Sequence, residues 1–147
     1  MYSSSKKLAP AWWTAAVACL VCILAGSTLV LRAQGKTSKD GVYSAVQSKR
    51  GETLFQAKCA SCHAKDLSGG DGPALAGSDF LGFWDKMPWS ELVDKIATSM
   101  PDDAPGTTTR AQAADLVAFI LQSNKFPAGQ AALSADNAIL KTIKIAK

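Results

Sequence analysis

From Ala11 to Leu31 the chain runs for 21 residues without a charged side chain. A polar, glycine-containing stretch follows over residues 34–48, and only then does a helical rhythm begin. Ser48 to Lys58 predicts a helix with Leu54, Phe55 and Ala57 toward one side, and Gly51 leaves a bare backbone where a second helix can cross closely. Pro88 opens another helix running to Ser99, with Leu92, Val93 and Ile96 at helical spacing. Thr109 and Gln112 form a capping-box pair at the start of a third. That helix buries Leu116, Val117, Ile120 and Leu121, turns Phe119 toward a neighbouring element, and stops before Phe126-Pro127. The tail, residues 130–147, sets Leu133, Leu140, Ile143 and Ile145 among Lys141, Lys144 and Lys147, which predicts packing on the domain with solvated lysines. The pattern is that of a small all-α domain of three or four helices, with neither internal repeat nor low-complexity tract. The divisions it suggests are 1–33 leading segment, 34–47 linker, 48–128 domain and 129–147 extension.

Charge separates the same parts. Residues 1–48 carry five basic side chains and one acid, whereas residues 49–147 carry eleven of each and sum to zero. A nucleic-acid binder needs its basic surplus on the folded domain, so that class is excluded. Lys6 and Lys7 ahead of the apolar run have the layout of an export signal, and Leu31-Arg32-Ala33 before Gln34 would serve as a cleavage site. The run exceeds the usual signal core of about 7–15 residues. As a helix it would extend roughly 31 Å, enough to cross a bilayer core. Cleaved signal and retained inner-membrane anchor both follow from this pattern, and each exports the domain. Cys19 and Cys22 within the run read as small apolar-like residues of a membrane helix.

Cys59-Ala60-Ser61-Cys62-His63 carries the chemistry. The spacing C-x-x-C-H is that of c-type haem attachment. On a short helical turn two thiols three residues apart can each reach one vinyl group of a porphyrin, and the adjacent imidazole then lies under the ring. A structural zinc site needs four Cys or His ligands, and the domain holds three. A thioredoxin-like dithiol needs a βαβ setting, and none is visible. His63 is the only histidine, which excludes a bis-histidine haem and leaves methionine as the natural sixth ligand. Met87 and Met100 lie 24 and 37 residues downstream, each followed by proline.

On these residues, residues 48 to about 128 resemble class I monohaem cytochromes c, in particular bacterial members that accompany periplasmic dehydrogenases. The similar stretches are Gly51-Glu52-Thr53-Leu54-Phe55, Gly72-Pro73-Ala74-Leu75-Ala76-Gly77, Phe80-Leu81 with Trp84, Thr98-Ser99-Met100-Pro101, Asp115 to Leu121, and Asn124 to Gly129. The resemblance implies first and last helices that cross at Gly51 and Phe119, around one covalent haem c. It implies His63 and Met100 as iron ligands, since the family places its methionine in the loop Met100 to Thr108, and Met87 as a packing residue. It also implies a Pro73 carbonyl that holds Nδ1 of His63, and Trp84 at the haem edge. Leu75, Phe80, Leu81 and Ile96 are expected to wall the crevice, and Trp89 to pack. The implied function is electron transfer in the bacterial periplasm, with a dehydrogenase, an oxidase or another cytochrome as redox partner. A small haem peroxidase or a haem-based gas sensor is the alternative. The peroxidase would need a distal acid such as Asp102 or Asp103 in place of a second histidine, and the sensor a displaceable methionine.

Overall fold

In the computed structural model the structure describes residues 36–146, and the leading segment, with Ala11–Leu31, Cys19 and Cys22, lies outside them. Six α-helices follow one short 3₁₀ turn at Ser38–Asp40: α1 Ala45–Lys58, α2 Ala60–His63, α3 Ser78–Trp84, α4 Trp89–Ser99, α5 Arg110–Ser123 and α6 Asn137–Leu140. The described residues contain isolated bridges but no strands. The fold is the small all-α one, and no helix among the described residues is long and apolar enough to cross a membrane.

Local signals explain the helix ends. Ser44 accepts the N–H of Gln47 and starts α1 three residues before the sequence-based boundary. Pro88 caps α4, and the Thr109–Gln112 capping box starts α5. The two long helices α1 and α5 then cross at Gly51. A Cβ there would overlap the backbone carbonyl of Asp115, so only glycine permits this approach. Phe55 and Phe119 meet beside the crossing, ring centroids 5.3 Å apart and tilted by 51°. On the surface, Arg50 forks onto Asp115, Nε donating to Oδ2 at 2.9 Å and Nη2 to Oδ1 at 2.8 Å. α4 also packs against α5 and buries Leu92, Val93 and Ile96.

The polar character of residues 34–47 reads as a linker, whereas residues 36–47 pack into the domain. Val42 and Tyr43 are buried, and the Tyr43 hydroxyl donates to the carbonyl of Phe126 at 2.8 Å. Ser38, Gln47 and Ser48 are buried polar residues, each held by a distant partner. The carboxamide of Gln47 grips Leu133 twice, donating to its carbonyl at 3.0 Å and accepting its N–H at 2.7 Å. Such bonds offset the cost of burying polar groups, which local pattern alone assigns to solvent.

The C-terminal segment lies between two others. Lys144 donates its N–H to Lys36 and accepts that of Ser38, while Ile145 and Ile143 exchange backbone bonds with Lys86, Met87 and Trp89 at 2.8–3.1 Å. Leu133, Leu140, Ile143 and Ile145 point inward and are buried, and Lys141 and Lys144 are exposed. The tail thereby ties the N-terminal segment to the loop between α3 and α4.

Candidate functional site

α1 ends at Cys59, whose N–H still donates to Phe55, and the chain turns directly into α2. Cys62 and His63 both donate their backbone N–H to the carbonyl of Cys59, at 3.2 and 3.0 Å, which winds the pentapeptide into a single turn. Both thiols are free. Burial pushes the Cys59 thiol above its ordinary pKa, partly countered by the nearby Lys58.

Beyond the turn, the loop from Ala64 to Gly77 folds back over His63. Gly72 donates to the carbonyl of Cys62 at 2.9 Å, and Leu75 to that of Leu67 at 2.9 Å. The carbonyl of Pro73 then lies 2.7 Å from Nδ1 of His63. A carbonyl only accepts, so Nδ1 carries the proton and the lone pair is left on Nε2, the tautomer a metal ligand needs. Gly72 lies against the imidazole; a Cβ there would stand 2.8 Å from Cε1 and 2.9 Å from Nδ1.

His63 opens onto a cavity of about 530 Å³, within the roughly 300–1,000 Å³ of ordinary ligand pockets. Of the residues singled out from sequence, Cys59, His63, Pro73, Leu75, Phe80, Trp84, Ile96 and Met100 all line it. Cys62, on the same turn as Cys59, is exposed and is not among the lining residues. Leu81 departs from expectation: it packs against the core, because α3 presents Phe80, Phe83 and Trp84 to the cavity. Met87 is half-buried in the core and Trp89 fully buried, its Nε1 without a partner among the described residues; neither reaches the cavity.

Several wall residues escape sequence reasoning as such. Phe55, Leu92, Leu116 and Ile120 read as helix core, and their periodicity is the same whether they face a neighbour or a cavity. Phe83 lines the mouth while 66% exposed, its ring edge-on to Trp84 at a centroid distance of 5.3 Å. Asp79 and Lys95 are the charged residues of the lining.

Two free thiols on one turn, a histidine in the ligand tautomer and a large apolar cavity fit one covalent porphyrin. A model of the family described as cytochrome c oxidase, cbb3-type, subunit III matches residues 46–120, just over half of the chain.

The chain belongs to this cytochrome c family.

It is a c-type cytochrome and an electron carrier with one covalent haem c, and Cys59 and Cys62 stand as the two thiols of its C-x-x-C-H motif. Haem c in such a site supplies a one-electron Fe(II)/Fe(III) couple. No curated protein matches the chain. Among solved structures, the sulfane dehydrogenase SoxCD from Paracoccus pantotrophus is similar at 22% identity and a TM-score of 0.49. The match covers 69% of this chain and 60% of that one, a likeness too distant to bear on substrate or partner.

Proposed function

We propose that this cytochrome is an exported one-electron carrier of the bacterial periplasm, its haem iron ligated by His63 and Met100. Residues 1–33 act as the export signal, retained as an inner-membrane anchor or cleaved after Ala33. Its donor is a dehydrogenase or a respiratory-chain component, and its acceptor an oxidase or another cytochrome. With both axial positions filled by side chains, electrons pass without any substrate on the iron.

The observation that carries the ligand assignment is the division of labour between two methionines. Met100 lines the cavity together with His63. Met87 lies outside the lining, and its carbonyl accepts the N–H of Ile145 at 2.8 Å. Met100 ends α4, its N–H donating to Ile96 at 3.2 Å, so a wall helix anchors the residue. A thioether ligand favours ferrous iron and raises the potential, and the apolar walls around it act in the same direction.

Paired substitutions test the assignment. Met100→Ala should abolish the near-infrared sulfur-to-iron charge-transfer band of the oxidised protein, lower its reduction potential and open the iron to added ligands. Met87→Ala should leave the band in place. The reverse pattern would overturn the assignment. N-terminal sequencing of the mature protein decides the fate of the leading segment: a start at Gln34 means a cleaved signal, an intact segment sedimenting with salt-washed membranes an anchor.

A further inference from the structure

The loop that aims Pro73 at His63 is held from two sides. On one side it bonds to the haem-binding turn and to Leu67, through Gly72, Pro73 and Leu75. Gln56 donates to the carbonyl of Lys65 at its start, and on the side after Pro73 it meets Asn124, the C-cap of α5. Nδ2 of Asn124 donates to the carbonyl of Leu75 at 3.0 Å and to that of Ile120 at 2.8 Å, while Oδ1 accepts the N–H of Gly77 at 3.0 Å. The carboxamide thus spans Leu75 to Gly77 and ties them to the last turn of α5. Gly77 in turn begins α3, its carbonyl accepting the N–H of Leu81 at 3.1 Å. Pro73 lies two residues before the first of these anchor points.

We propose that Asn124 is a positioning residue for the redox centre: its carboxamide fixes Leu75 and Gly77, and through them the aim of the Pro73 carbonyl at Nδ1 of His63. This rests on the reading of His63 as an iron ligand. The energetic link is the Nδ1–H bond. A short bond to a carbonyl makes an imidazole more basic and a stronger electron donor, which stabilises the oxidised metal. Slackening the loop lengthens that bond, makes His63 a poorer donor and raises the reduction potential. Asn124 touches neither the imidazole nor the cavity; it reaches His63 through Leu75 and Gly77, and its other bond goes to the backbone of Ile120 in the cavity wall.

The test uses the full-length haem protein in its reduced, diamagnetic state. Asn124→Asp keeps an acceptor for Gly77, loses the donor to Leu75 and Ile120 and adds a negative charge, so exchange alone is its readout. Asn124→Leu removes every bond at nearly constant shape. Both should speed solvent exchange of the His63 Nδ1 proton by about tenfold, the equivalent of one hydrogen bond, and the uncharged Asn124→Leu should also shift the potential upward. Gln47→Leu is the control, since it breaks a matching two-bond clamp, that on Leu133. It should lower the melting temperature and leave both readouts unchanged. If Asn124→Leu fails to fold, Asn124→Asp carries the test alone. Unchanged exchange in Asn124→Asp, or equal changes in Gln47→Leu, would overturn the proposal. A wild-type Nδ1 proton without a haem ring-current shift would instead end the reading of His63 as ligand.

Discussion

A methyl group added at position 72 would stand 2.8 Å from the His63 ring, closer than real Cβ atoms come to heavy atoms. Gly72→Ala is therefore expected to displace the imidazole or the Pro73 carbonyl, costing about 1–3 kcal/mol as overpacking does. It should also lower the yield of haem-loaded protein, measured as haem absorbance per polypeptide. Replacing both Cys59 and Cys62 by alanine should leave little haem protein at all. In the unmutated chain the haem should stay on the polypeptide through acid–organic extraction, and its free release would contradict covalent attachment. These residues were legible for different reasons. The pentapeptide is a local chemical device whose spacing is its meaning. Gly72 lay in a matched stretch, but nothing in its neighbours says that an imidazole occupies the space its side chain would fill.

At the scale of elements, α1 and α5 come closest at one crossing, where Gly51 meets the backbone of Asp115. Gly51→Ala places a methyl group on the rigid backbone of Asp115 and should lower the unfolding midpoint, with a loss toward the upper end of about 1–3 kcal/mol. Removing the Arg50–Asp115 fork, largely exposed on the arginine side, should move the midpoint far less than Gly51→Ala does. In the tail, inward and outward residues alternate between Ile143 and Ile145. Ile145→Ala, at a side chain 1% exposed, should cost about 2–5 kcal/mol in chemical denaturation. Lys144→Ala beside it should stay within about 0.5 kcal/mol. Helices α4 and α5 could be read from caps and period because both signals sit within one turn. The pairing of 143–145 with 86–89 could not, since more than fifty residues separate the partners.

For the whole molecule, the first described segment and the last close around the helices, and Tyr43 joins the former to the end of the domain at Phe126. Burial pushes the Tyr43 phenol above its ordinary pKa. Its contribution is thus fully present below about pH 10, the unfolded value, and is lost as pH rises toward the raised folded value. An alkaline fall in melting temperature that disappears in Tyr43→Phe would establish this. Asp40 shifts the opposite way: the backbone N–H of Thr37, then its hydroxyl, hold the carboxyl below its ordinary range. Its support for the N-terminal turn is present above the unfolded value and fades as pH falls through the folded one, so Asp40→Asn should flatten acid sensitivity there. What the sequence by itself determined is the chemistry and the helices, because a covalent attachment motif, a cap and an apolar period each act over a few neighbouring residues. Tertiary structure alone decided that Phe55, Leu92, Leu116 and Ile120 wall the cavity, that residues 36–47 belong to the domain, and that Asn124 grips the loop beside His63. An apolar side chain is equally suited to core or cavity wall, and a polar one to water or a buried partner; only the approach of residues distant in the chain makes that choice.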